Sequence, residues 1–214
     1  MSLLVVGGIE LLYRWLKLRL SPWFWIVMGL ILTAWTAFRW LRIKPKLENM
    51  ALGARGERIV GRKLEELRKY RYVVFHDIPG EGFNIDHVVI GPGGVFALET
   101  KSWSKPESGP TEIDYDGERV LKNGRETDRN PVIQAKACAS YLRGLLKKKT
   151  GRKVEVRAVL LFPGWFVKER SKNPEVWALN EKRIFSCIKN EREKLSREDI
   201  ALFVDRLEHH LSEE

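Results

Sequence analysis

Seventeen consecutive residues, Pro22 to Phe38 (PWFWIVMGLILTAWTAF), carry no formal charge, and such a run leaves a chain few options. As a helix rising ~1.5 Å per residue it spans roughly 26 Å, just enough to cross a bilayer. Trp23 and Trp25 stand at one end and Trp35 and Trp40 towards the other, as in interfacial aromatic belts. Arg39, Arg42, Lys44 and Lys46 follow at once. A buried core helix is the competing reading, but core helices seldom carry such Trp and Arg flanks. By the positive-inside rule the rest of the chain lies in the cytoplasm.

The charge distribution bears on the same segment. The formal net charge is +10, and residues 1–46 supply +6 of it, with seven Lys or Arg against one Glu. Only +4 is left for the remainder, so the basic excess speaks more for membrane topology than for a nucleic-acid footprint. Residues 3–20 are apolar but contain Glu10, Arg14, Lys17 and Arg19. They suit either a first span returning through Ser21-Pro22, the preferred reading, or an interfacial amphipathic helix. No basic n-region precedes the apolar run and no clear A-x-A site ends it, which argues against a cleaved signal peptide. Lys44-Pro45-Lys46 is expected to form a short linker. The expected organisation is a membrane anchor over 1–46, with an apolar helix at about 3–20 and a transmembrane helix at about 22–41, and a soluble domain over 50–214. Cys138 and Cys187 have no CxxC or metal spacing and fit reduced thiols of a cytosolic domain.

The soluble part mixes helical and strand periodicities. Ala51 to Tyr70 predicts an amphipathic helix, and Tyr72–Asp77, Phe83–Ile90 and Val95–Ser102 predict three strands. The DYDG and KNGR turns suggest a hairpin around Ile113–Leu121. Asn130-Pro131 opens a helix to about Lys149. Lys153–Phe162 and Val176–Leu179 suit further strands, and Ser196–Leu211 a closing helix.

In NIDHVVIGPGGVFALETK, Asn84 to Lys101, two runs apolar on both faces carry Asp86, Glu99 and Lys101, where charge is normally excluded. If the GPGG turn has Pro92 and Gly93 at its centre, counting outward sets Asp86 opposite Glu99. Their Cβ atoms would stand about 5 Å apart on one face, and a one-residue slip would separate them. Two carboxylates that close repel, and a divalent cation between them relieves the repulsion; hard oxygen donors favour Mg²⁺ or Mn²⁺ over zinc. The two-residue pleat places Lys101 on the face of Glu99. Such a set suits metal-assisted phosphodiester hydrolysis, with Lys101 orienting or deprotonating a water. The structural alternative is a buried ion cluster, which is seldom net stabilising.

GARGERIV, IDHVVIGPGGVFALETK and NPVIQAK resemble, in order and spacing, the motifs of the NERD (nuclease-related) domain of the PD-(D/E)XK restriction-endonuclease-like superfamily. The resemblance covers about Leu52 to Tyr141, with a weaker match on to Phe162. It implies an α/β fold, a restriction-endonuclease-like mixed sheet flanked by helices, here preceded by one or two transmembrane or membrane-associated helices. It implies Asp86 and Glu99 as metal carboxylates with Mg²⁺ or Mn²⁺, Lys101 as catalytic lysine, Glu57 as an added acidic ligand, and Gln134 as a polar residue reaching the site from its helix. Two departures stand out: Ile85 replaces the proline of the superfamily name, and Cys138 sits where some relatives have tyrosine, with Tyr141 on the same helix face.

The implied function is a membrane-tethered, metal-dependent nuclease acting on DNA or RNA; the alternative is a non-catalytic membrane-anchored binding module of the same fold. Lys105, Lys122, Arg125 and Arg129 are candidates for phosphate contact, sequence-independent and salt-sensitive. Trp103 suits either stacking on a base or plain packing. His76, His87, His209 and His210 lack metal spacing and are read as structural or surface residues.

Overall fold

A computed structural model describes residues 7, 8, 10, 11, 21–172 and 174–213. The chain divides into two compact units, 1–48 and 49–214. Pro22–Glu65 is one helix, α1, with Pro45 inside it. The linker expected at Lys44-Pro45-Lys46 is therefore helical. Proline's ring fixes φ near the helical value, and the strong helix formers Lys44, Lys46, Leu47 and Glu48 carry the helix past the one missing N–H. Along the apolar stretch Trp23, Trp35 and Trp40 are all more than half exposed. Among the described residues this is the one helix long and apolar enough to cross a membrane. Arg39 lies over the Trp35 ring at 5.1 Å and Arg42 over Phe38 at 4.2 Å, because long helical side chains lean back towards the N-terminus. The segment expected at 3–20 lies for the most part outside the described residues.

In the second unit a 3-10 turn, Glu66–Tyr70, ends the helix. The chain continues through β1 (Val73–Pro79), β2 (Asn84–Gly91), β3 (Gly94–Thr100), β4 (Glu112–Tyr115), β5 (Val120–Lys122), β6 (Arg125–Glu126), α2 (Pro131–Thr150), β7 (Val156–Leu161), β8 (Phe166–Glu169), β9 (Val176–Leu179), α3 (Ile184–Lys189) and α4 (Arg197–Ser212). The main sheet has the order β1-β2-β3-β7-β9, with β1, β2 and β3 antiparallel and β7 and β9 joined in parallel. Helices cover both of its faces. On one face Val132, Ala135 and Leu142 of α2, with Phe203 of α4, join the core of Val88, Ile90, Val95 and Ala97. On the other, Val60 and Leu64 of α1 and Ile184 of α3 meet Val89, Phe96 and Leu98. Alternate residues of β2 and β3 thus enter two different cores, which explains why neither strand alternates with polar residues.

The β2–β3 ladder closes with Gly91 opposite Gly94, leaving Pro92-Gly93 as the two-residue turn. A Cβ on Gly91 would fall 2.1 Å from the Tyr72 ring. The Tyr72 hydroxyl accepts from Gly93 N–H and donates to the Ile188 carbonyl, so the glycines seat an aromatic post that holds the turn. A second sheet, β6-β5-β4-β8, contains the expected hairpin as β4–β5. Strands β6 and β8 and helix α3 were not expected. β8 is four residues long with Phe166 58% exposed, too short and too wet to form an apolar run. Helix α2 begins where Asn130 accepts from Val132 N–H and Pro131 fills the first turn.

Candidate active site

The site is built where β3 runs out of its sheet. Lys101 N–H donates to Leu161 O on β7, so the N–H of Thr100 points the other way, towards β2. There it meets not a backbone carbonyl but Asp86 Oδ2, at 2.6 Å. The backbone register matches the sequence expectation as far as the last ladder pair, His87 with Leu98; beyond it the Asp86 side chain replaces the ladder. The β1–β2 ladder also breaks here, passing from His76–His87 to Ile78–Ile85. Opposite Asp86 stands Asp77, in the left-handed region at φ 51°, a conformation that aspartate tolerates better than most residues.

Glu99 is buried, its side chain 4% exposed, and Lys101 is 23% exposed beside it. Lys101 Nζ donates to Glu99 Oε1 at 2.8 Å and to Gln134 Oε1 at 2.7 Å, while Gln134 Nε2 donates to the same Glu99 oxygen at 2.7 Å. The three side chains close a ring, with Gln134 reaching in from the first turns of α2. The other carboxylate oxygen accepts from the Cys138 thiol at 3.7 Å. Burial, then the charge of Glu99, push that thiol up to about 12, so it stays protonated and serves as a donor to Glu99.

Helix α1 supplies Glu57 through a close approach. A Cβ on Gly56 would fall 1.7 Å from Ser102 Oγ, so the glycine alone lets the helix lie against the end of β3. Burial first, then the charges of Asp77 and Glu99, raise the Glu57 carboxyl above its ordinary range. Burial first, then Glu99, lift Asp86 to about 7. Glu57, Asp86 and Glu99 therefore share one field and repel one another. Their hard oxygens have the chemistry to hold a divalent cation, and the mutual repulsion is what such an ion relieves. No three Asp, Glu, His or Cys side chains among the described residues already enclose a metal-sized space.

On the other side of the sheet His87 is 4% exposed, its Nδ1 2.8 Å from His76 Nδ1, and His76 Nε2 reaches Glu65 at 3.1 Å. Burial, then His76, lower the His87 imidazole to about 4. The pair packs under Gly61.

Lys101 and Gln134 also line a cleft of about 1310 Å³, with Trp103, Lys122, Arg125, Arg129 and Ile133 among its other side chains. Three of the four nominated phosphate contacts thus share the cleft with Lys101. Lys105 does not line it; its ammonium lies against Gly164. Sequence reasoning missed Asp77, whose only signal was an acid ending an apolar strand, and Ile133, an exposed apolar residue beside Gln134.

Comparison with protein-family models matches residues 52–163 to one described as a nuclease-related domain. Neither the comparison with curated proteins nor that with solved structures gives a match.

Proposed function

The chain belongs to the nuclease-related domain family, and from that premise we propose that it is a metal-dependent nuclease, anchored in a membrane, that hydrolyses phosphodiester bonds of DNA, with RNA as the alternative substrate. The observation that carries the reading is the closed Lys101–Glu99–Gln134 ring beside Asp86, opening on a cleft with basic side chains. Asp86, Glu99 and Glu57 would hold Mg²⁺ or Mn²⁺, which when bound lowers the pKa of water and offsets charge on the phosphate. Two of the three Lys101 ammonium protons are spent on Glu99 and Gln134; the third is free to meet a phosphate oxygen or the attacking water. Gln134 keeps Lys101 aimed, because its amide binds the lysine with one atom and Glu99 with the other. Thr100 N–H fixes Asp86, and Cys138 fixes the far oxygen of Glu99. Lys122, Arg125 and Arg129 grip phosphates without reading bases, so cleavage has no strong sequence preference.

Residues 1–46 serve as the anchor and 50–214 as the catalytic domain, on the cytoplasmic side. The unburied apolar stretch of α1 and the four cations after it support that assignment. The second reading, on the same fold, is a non-catalytic membrane-anchored nucleic-acid-binding module. The two are separated by incubating the whole chain with linear and circular DNA and with RNA, in Mg²⁺, Mn²⁺ or EDTA. Cation-dependent cutting that drops at least about a hundredfold in Lys101→Ala supports the nuclease. No cutting of any substrate, or cutting unchanged in Lys101→Ala, leaves the binding module.

A further inference from the structure

We infer that the cleft beside Lys101 receives a single strand of nucleic acid, with unpaired bases against its apolar side chains and phosphates on its cations; this substrate class rests on the nuclease reading above. The cleft, at about 1310 Å³, exceeds the usual range of small-molecule pockets and has the capacity for several nucleotides. Its lining is of two chemical kinds. Lys101, Lys122, Arg125 and Arg129 carry four positive charges against Glu126 and Asp128, and Glu126 is already paired with Arg119 at 3.4 Å. The balance favours an anion. Beside these cations stand Trp103, Ile133 and prolines.

A duplex has little use for that second kind of side chain. It presents sugar, phosphate and groove edges, with its base faces hidden in the stack. Aromatic and apolar groups interleaved with cations suit a strand whose base faces are open. Ile133 is 67% exposed in the turn that also carries Gln134, whereas its neighbours Val132 and Ala135 are buried. Trp103 is backed by Phe162 at 5.1 Å between ring centres, which holds the indole in place. The Lys122 ammonium rests over Trp103 at 5.7 Å and over Trp165 at 5.4 Å. Trp165 is buried, so Trp103 is the ring a ligand can reach. An arriving nucleotide substitutes for both halves of that contact, its phosphate taking the ammonium and its base the Trp103 face.

The test is fluorescence anisotropy of the detergent-solubilised whole chain in EDTA, with a labelled DNA oligonucleotide of about 20 nucleotides, alone and annealed to its complement. The single strand should bind roughly tenfold tighter than the duplex. Ile133→Ser, at an exposed position that folding does not depend on, and Trp103→Ala should each weaken single-strand binding by about tenfold while shifting duplex binding by less than about twofold. Duplex binding as tight as single-strand binding, or single-strand binding indifferent to Ile133→Ser, overturns the assignment. Parallel incubations with Mg²⁺ keep the two levels apart. A chain that cuts duplex without preferring single strands is a nuclease of another substrate class. A chain that binds single strands through Ile133 and cuts nothing retains the cleft assignment and loses the enzyme.

Discussion

Replacing Asp86 by asparagine should stabilise the metal-free protein. The carboxyl is lifted from 3.8 to about 7, first by burial and then by Glu99, whereas in the unfolded chain it ionises near its ordinary value. Between these limits the folded state holds a proton that the unfolded state has released, so stability is greatest below about pH 4 and falls as pH rises to about 7. A gap of about three pH units sets a ceiling of ~4 kcal/mol. Asp86 is only partly buried, and solvent screening brings the expectation nearer ~2 kcal/mol. Asparagine keeps an oxygen for Thr100 N–H, so the bond at 2.6 Å has a replacement acceptor. Urea unfolding of the whole chain in detergent, followed by tryptophan fluorescence in EDTA, should show Asp86→Asn more stable than the wild type at about pH 8 and equal to it at about pH 4. Millimolar Mg²⁺ should then raise the wild type and leave the variant unmoved. A variant less stable at about pH 8, or a difference that does not change with pH, would refute the electrostatic account of the site.

Two further outcomes follow from the same surroundings. His87, lowered from 6.5 to about 4 by burial and by His76, is a base that the folded state keeps neutral. It contributes stability that is complete above about pH 6.5 and lost as pH falls towards 4, up to ~3 kcal/mol. In the wild type this opposes Asp86 over nearly the same interval; in Asp86→Asn it should emerge as a rising limb, and His87→Asn added to that variant should flatten it. Gly56→Ala drives a methyl into Ser102 and should lower stability by about 2 kcal/mol, read from thermal unfolding, with Ser102→Gly restoring most of the loss.

The parts of the fold that sequence exposed were those set by local rules. The GPGG turn is a local hairpin signal, so the β2–β3 register followed once Pro92 and Gly93 were placed at its centre, as the Gly91–Gly94 pair has them. Asn130-Pro131 announced the start of α2 because a cap and a proline serve only that place. Pro45 misled for a related reason: a proline marks where helices often end, yet its backbone angle is helical and the residues around it propagate the helix. Asp77 was taken as the end of a strand because nothing local distinguishes a terminus from a break with the strand resuming beyond. The ring of Glu99, Lys101 and Gln134 was nominated by motif, but its closure depends on α2 crossing β3, a long-range fact. The cleft was more remote still, since Trp103, Lys122 and Ile133 come from three separate elements whose meeting no spacing encodes.

Asn130 performs two tasks with one amide. Its oxygen accepts from Val132 N–H and starts α2, while its nitrogen donates to the Glu118 carbonyl in the turn between β4 and β5, at 2.7 Å. Gln134 sits about one helical turn further on. One side chain thus links the small sheet to the base of the arm that holds the lysine. An insertion that lifts the β4–β5 turn would be felt as a rotation at the ring, so the length of that turn is constrained by a site it does not touch.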